Sequence, residues 1–376
     1  MLEQVIANKA GWTRLRFDEM AVNVTERVQP EPDDNETYVG LEHLDSGSLR
    51  VRRWGSEVAL KGTKLRMREG DILFARRNAY LRRVALAPHD GLFSAHGMVL
   101  RAKPETVLPE FLPFLMQSDL FMERALSISV GSLSPTINWK ALAKEEFLLP
   151  PIQEQARLVE VLSASESCKE SYRECSSVTS ELRSSLIFNH FSQPVEGGLN
   201  RLLGISLTEL CSIRTGKLDS NAAVEGGKYP YFTCDPVPKS IDTFAFDCDA
   251  VLLPGNNAQG QYWVKTFNGK FNAYQRTYVF EPDRSMARTG YLALFLEDAL
   301  ERLKSFSVGS TTKYLTKDLF EKLVITLPSL GDQDEFVEQI AALDRTSSQI
   351  KLRIEALAKI PEMVLAESNL KATDIV

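Results

Sequence analysis

The sequence predicts a mixed α/β protein: two globular α/β domains separated by two long helices that pair as an antiparallel coiled coil. Three observations lead there. The chain repeats itself at an offset of 178 residues. Each repeat ends in a stretch whose apolar residues recur at steps of three and four, and each begins with short apolar runs bounded by turn residues.

The repeat is clearest between Leu120 and Glu160, where thirteen of 41 positions match the residue 178 further on. Ordinary residue usage gives about one match in sixteen. The pairs include Glu123/Glu301, Arg124/Arg302, Ser127/Ser305, Pro150/Pro328, Gln155/Gln333 and Val159/Val337, with the strings Ser129 to Ser132 and Ser307 to Ser310 identical throughout. The register reaches back to Asp71/Asp249, Asn78/Asn256 and Ala95/Ala273. Further upstream, Phe17 to Met20 resembles Leu207 to Leu210 at an offset of 190, so the first copy lacks about a dozen residues in a Gly, Pro and Asn-rich region. Each copy thus has a variable front and a similar back. The boundaries expected are 1–149 and 192–327 for the domains, with 150–191 and 328–376 for the helices.

Pro150 and Pro151 suit a helix start, since a proline there gives up only an amide that has no partner. The seam then runs Leu158, Val161, Cys168, Tyr172, Cys175, Leu182 and Leu186, with Ser165 and Thr179 at two seam positions. In the second copy it runs Phe336, Ile340, Leu343, Ile350, Ile354 and Leu357, with Ser347 in the gap. A period of about 3.5 residues marks a coiled-coil seam. One such stripe would read as an ordinary amphipathic helix on its own domain, but two related ones can bury each other. A globular domain between them lets the helices run antiparallel with the domains at opposite ends, and Pro361 is expected to kink or end the second early.

In the fronts, Asp71 to Ala75 and Asp249 to Leu253 read as buried strands. Phe271 to Phe280 has the aromatic and β-branched content of a strand. Phe111 to Ala125 and Tyr291 to Leu303 read as helices closing each domain.

At 376 residues the chain exceeds what one core usually fills. No apolar run approaches the roughly 20 residues of a membrane span, and the first dozen residues lack a basic region and an apolar one, so a cytosolic protein is expected. Cys168, Cys175, Cys211, Cys234 and Cys248 form no C-x-x-C pair, and His43, His89, His96 and His190 show no ligand spacing, which disfavours a disulfide framework or a metal site. Phosphate-cradling and dinucleotide-binding glycine motifs are missing, and Leu149 stands before Pro150-Pro151 where a base-flipping amino-methyltransferase would carry Asn.

The net charge of −6 hides a strongly basic stretch. From Arg50 to Arg83 the chain carries Arg50, Arg52, Arg53, Lys61, Lys64, Arg66, Arg68, Arg76, Arg77, Arg82 and Arg83 against Glu57, Glu69 and Asp71. A solvated face is the plain reading; a phosphate-binding surface fits better, because Arg predominates and its planar fork suits phosphates and guanine edges. Asn78 lies within it. In the second front, Asn256, Asn257, Gln259 and Gln261 crowd a Gly-flanked loop at the equivalent position. Such amides can pair bidentately with adenine, although Pro254-Gly255-Asn256-Asn257 reads equally as a turn. Lys265, Lys270, Arg276 and Lys313 are candidate phosphate contacts, and Gly131 and Gly309 suit backbone turns at the domain–helix junctions.

The order of variable domain, Ser-Val-Gly-Ser junction, Leu149-Pro150-Pro151-Ile152-Gln153-Glu154-Gln155 string and long helix resembles the specificity subunit of type I restriction-modification systems over nearly the whole chain. Leu327-Pro328-Ser329-Leu330-Gly331-Asp332-Gln333 is a degraded second copy of that string. The resemblance implies two target recognition domains, each reading half of a split double-stranded DNA site, held apart by the coiled coil. It implies methyltransferase and restriction subunits as partners, carrying the S-adenosylmethionine, ATP and Mg chemistry, with no catalytic residue, cofactor or metal on this chain. Two other classes stay open: a DNA-modifying enzyme with an unrecognised site, and a coiled-coil scaffold whose fronts bind protein.

Overall fold

The apolar runs become central strands of two units in the computed structural model, which describes residues 11–192, 204–257, 262–305 and 313–367. One unit comprises Met1–Glu174 with Ile350–Val376, the other Cys175–Gln349.

In the first unit, Ile72–Phe74 is buried along its length in an antiparallel sheet ordered Ala21–Val24, Met98–Ala102, Ile72–Phe74, Val84–Leu86. Alternation explains why the run is apolar throughout: Ile72 and Phe74 face a cluster with Phe17, Phe111 and Phe121, while Leu73 faces another with Val39, Met67 and Phe93. A second sheet is ordered Arg27–Val28, Lys64–Met67, Gly91–Phe93, Tyr38–Val39, its last pair parallel.

In the second unit Phe246–Pro254 lies within a six-stranded sheet, ordered Cys211–Thr215, Thr277–Pro282, Phe246–Pro254, Lys265–Ala273, Tyr229–Phe232, Lys239–Ile241. Val251 and Leu253 face Leu207, Phe280 and Leu296, while Ala250 and Leu252 face Phe232, Phe271 and Val279. Tyr229–Phe232 runs parallel to Lys265–Ala273, as Tyr38–Val39 does to Gly91–Phe93. The duplicated anchors Phe17–Met20 and Leu207–Leu210 are both single helical turns whose end residues are buried.

Two expected elements are divided. Phe271 to Phe280 is not one strand, because the chain turns at 274–276 between Lys265–Ala273 and Thr277–Pro282, which flank Phe246–Pro254 on either side. Phe111 to Ala125 is two helices, Phe111–Gln117 and Asp119–Ser127, since Ser118 is extended and its hydroxyl caps the second by accepting the amide of Phe121 at 3.3 Å. The helix closing the second unit is Thr289–Ser305.

The long helices are Ile152–Ser192, 41 residues, and Leu330–Glu367, 38 residues, or about 60 Å each at 1.5 Å per residue. Their starts are built alike. Gln155 is 1% exposed; its side chain accepts the amide of Leu108 at 2.8 Å and donates to the carbonyl of Pro150 at 2.9 Å. Gln333, 0% exposed, accepts the amide of Arg288 at 2.8 Å and donates to Met286 and Pro328 at 2.9 and 3.0 Å. A buried amide must be satisfied, and here each ties a helix to the loop ahead of its domain's closing helix.

Within each unit the helix segments run antiparallel. In the first, Leu158 and Leu162 share a core with Leu365, and Ser165 lies against Leu357. In the second, Ile187 packs with Phe336 and Ile340, His190 stacks on Phe336 at 3.7 Å, and Arg183 reaches Asp344 at 2.7 Å. Burying Phe336 or Ile340 contributes about 2 kcal/mol each.

On the second helix Phe336, Ile340 and Ile350 are buried, with Leu343, Ile354 and Leu357 partly so. On the first helix Leu158, Tyr172 and Leu186 face inward, but Val161 and Leu182 are 44% and 47% exposed, and Cys168 and Cys175 are exposed as well. The inward positions lie one residue later: Leu162 at 0%, Lys169 at 4%, and Arg183 half-buried. Two of these are charged, and each has its partners. Lys169 donates to the Gly47 carbonyl at 2.9 Å and pairs with Glu166; Arg183 bridges Glu297 at 2.6 Å as well as Asp344. Nor does Pro361 end the second helix, which continues to Glu367.

Candidate nucleic-acid interface

The basic stretch of the first unit does not form one continuous face. Its first part lies against the first long helix. Arg52 pairs with Glu170 and, at 3.2 Å, with Asp45; Arg53 pairs with Asp45 at 2.9 Å; Arg50 reaches Glu174 at 3.5 Å. Burial opposes ionisation of Glu170, but hydrogen bonds from Arg52 and Arg173 outweigh it and hold the carboxyl below the usual carboxylate range. Lys64 is buried, its ammonium donating to the carbonyls of Lys61 and, at 3.0 Å, Gly62. It therefore braces its own turn, a correction to its reading as a phosphate contact. Arg66 pairs with Glu26 at 2.9 Å. Exposed Lys61, Arg68 and Arg77 carry no ion pair among the described residues.

Arg76, Arg77, Asn78, Arg82 and Arg83 are brought together after the strand Ile72–Phe74. The segment Val130–Thr136, turned by Gly131 at φ 106°, closes on itself and locks onto that loop. The amide of Asn78 donates to the Pro135 carbonyl at 2.9 Å, Arg77 bridges Thr136, and the amide of Ile137 donates to the Arg76 carbonyl at 3.0 Å. The Ser-Val-Gly-Ser junction is therefore part of this loop's support. Arg83 reaches the Leu41 carbonyl at 2.7 Å, and Arg76 the Ala95 carbonyl at 3.5 Å.

The second unit repeats the arrangement with other residues. After Phe246–Pro254, Asn256–Asn257 pairs antiparallel with Lys313–Tyr314, and the amide of Leu315 donates to the Gly255 carbonyl at 2.8 Å. Gly255 is needed: a Cβ there would lie 2.7 Å from the Arg276 carbonyl, which accepts the Gly255 amide at 2.6 Å. Asn256 Oδ1 accepts from Cys234 Sγ at 2.9 Å. Lys265 donates to the Asp235 carbonyl, and burial lowers its pKa. Lys270 lies 4.7 Å from the centre of the Phe244 ring, and Arg276 is exposed. Gln259, Gln261 and the second Ser-Val-Gly-Ser string lie outside the described residues. The equivalent loops thus follow equivalent strands, Arg-rich in one unit and amide-bearing in the other, with Arg suited to guanine and Asn to adenine.

Among the described residues no group of His, Cys, Asp and Glu is placed to hold a metal ion, and no helix is long and apolar enough to cross a membrane. Sequence reasoning missed Tyr80, which stands exposed on the first loop; it carries no charge and lies between arginines.

The family described as the type I restriction modification DNA specificity domain matches residues 48–173 and 205–358, one segment in each repeat. The specificity subunit of the type I restriction enzyme EcoDI of Escherichia coli is 38% identical over 156 residues, which are 42% of this chain and 34% of that protein. The structure of the type I restriction-modification S subunit from M. genitalium aligns over 98% of each chain at 16% identity with a TM-score of 0.60. A chain from a study of complex assembly and conformational transition of the type I restriction-modification system aligns over 96% of each at 23% identity with a TM-score of 0.57. These two likenesses are of fold. The family match takes in most of both repeats, and with it the chain belongs to the type I restriction-modification DNA specificity family.

Proposed function

We propose that this chain is the sequence-specificity subunit of a type I restriction-modification complex and reads a bipartite double-stranded DNA site, one half through each unit. The observation that carries the reading is the pair of equivalent loops, 76–83 and 255–257, each ending a matching strand and locked by its own partner segment. Phosphate contacts from exposed basic residues such as Arg68 and Arg77 position the first unit, while side chains of the locked loop meet base edges. Asn256 and its neighbours do the latter in the second unit.

On this reading the paired helices set the number of unread base pairs between the half-sites. Methyltransferase and restriction subunits supply the chemistry, with S-adenosylmethionine, ATP and Mg bound by them, and the chain itself catalyses nothing. Methylation mapping in cells that carry the chain with its partner subunits tests this: a split motif with a fixed gap is expected, whereas a continuous motif or none overturns it. Purified chain that methylated or cut DNA alone would favour the enzyme reading.

A further inference from the structure

The loop of the first unit holds a feature that phosphate binding does not explain. Asn78 and Arg82 adopt φ of 54° and 52°, the non-glycine left-handed residues among those described, and such backbone costs on the order of 1 kcal/mol or more per residue. The turn between them is nevertheless fixed. The amide of Leu81 donates to Asn78 at 3.0 Å and that of Arg82 to Ala79 at 2.9 Å, Ala79 is 1% exposed, and Arg82 pairs with Asp119 and reaches the Gln117 carbonyl at 3.3 Å.

What this braced turn presents is apolar. Tyr80 is 56% and Leu81 38% exposed, and on the adjoining segment Val130 and Leu133 are 66% and 96% exposed. Water is a poor solvent for such a group, and a stiff turn carrying an aromatic ring loses little entropy when the ring is covered. A ligand that covers it must tolerate Arg76, Arg77 and Arg83 on the same loop. Charge complementarity and flat apolar faces together describe base edges and stacked bases inside a phosphate-lined groove.

We propose that Tyr80 is a specificity-determining residue, packing against a base or base step in the half-site read by the first unit, with the exposed Leu133 of the locked segment contributing to the same contact. The proposal rests on the DNA-reading function above. Aromatic and apolar side chains on a rigid support discriminate bases by contact with the thymine methyl group or by wedging a deformable step.

The test uses the full chain with its methyltransferase partner and DNA carrying the mapped wild-type motif. Y80A should weaken binding about tenfold and relax or alter bases in one half of the motif only. Its salt dependence should stay as in wild type, because no charge is removed. Y80F should keep the wild-type motif, and L133S, at a position that bears no fold, should weaken the same half. Unchanged motif and affinity in Y80A would overturn the assignment of Tyr80 while leaving the bipartite reading intact. A wild-type complex with no split motif would instead remove the reading beneath it.

Discussion

The hydroxyl of Ser165 on the first long helix lies 3.4 Å from the carbonyl of Leu357 on the second, the acceptor that Pro361, four residues on, cannot supply with an amide. An interior proline normally breaks a helix by orphaning that carbonyl and crowding it. Here the neighbouring helix supplies a donor, and the second helix passes through Pro361 to Glu367.

This pairing predicts a coupled pair of mutants. Ser165→Ala should cost about 1 kcal/mol, the net worth of a neutral hydrogen bond with its acceptor left unpaired. In a Pro361→Ala background, where Leu357 regains a backbone donor, the same change should cost much less. A double-mutant cycle in urea checks it, and equal costs in the two backgrounds would separate Ser165 from Pro361.

The buried glutamines at the helix starts allow a second prediction. Gln155→Leu leaves the Leu108 amide and Pro150 carbonyl without their partner, and Gln333→Leu does the same to the Arg288 amide and the carbonyls of Met286 and Pro328. Each should destabilise its own unit by about 2 kcal/mol. Hydrogen exchange should show Leu108 losing protection in the first variant and Arg288 in the second, neither affecting the other.

Those glutamines were legible as the identity Gln155/Gln333, and the same register held information that apolar spacing alone did not. Carried back by 178 residues, the inward positions Ile340, Ser347 and Ile354 fall on Leu162, Lys169 and Ser176. The apolar stripe alone points to Val161, Cys168 and Cys175, because hydrophobic spacing holds no sign of a charge inside. Lys169 and Arg183 are tolerated there through Glu166, one helical turn before Lys169, and through Gly47, Glu297 and Asp344, distant partners that no local pattern reveals. The basic stretch had the same difficulty. Its composition was plain, but the engagement of Arg50 and Arg52 by Glu174 and Glu170 depends on tertiary packing. The locked loop of the first unit was half legible, as Asn78 and the Ser-Val-Gly-Ser string that follows, since the sequence does not say that the two segments meet.

His190 should make the second unit sensitive to acid. Its ring stacks on Phe336 at 3.7 Å, and its Nε2 lies 3.0 Å from the Tyr291 hydroxyl, which itself donates to the Thr326 carbonyl at 3.3 Å. That hydroxyl is thus left to accept from a neutral imidazole. Burial lowers the His190 pKa from the ordinary 6.5, so the unfolded chain takes up the proton first. Its contribution is fully present above the unfolded value and is lost as pH falls below it toward the folded one. Because the imidazole remains more than a third exposed and water screens the effect, the wild type should lose only slightly more stability than His190→Phe between pH values of about 7.5 and 5.5. Parallel losses would show that His190 does not titrate between the two states.

Arg77 separates phosphate attraction from base reading. It is exposed, carries no ion pair among the described residues, and its backbone is fixed by the bridge to Thr136, so truncating its side chain leaves the fold untouched. As a phosphate contact, Arg77→Ala should lower affinity for the mapped site and for unrelated DNA alike, and should reduce the slope of log K against log salt by about one. As a base contact it should instead cost about 1 to 3 kcal/mol on the mapped site alone and relax one position in one half. Titrations of wild type and variant at several salt concentrations, on both DNAs, distinguish these outcomes. An Arg77→Ala complex identical to wild type on both would remove the loop's one exposed arginine from the interface.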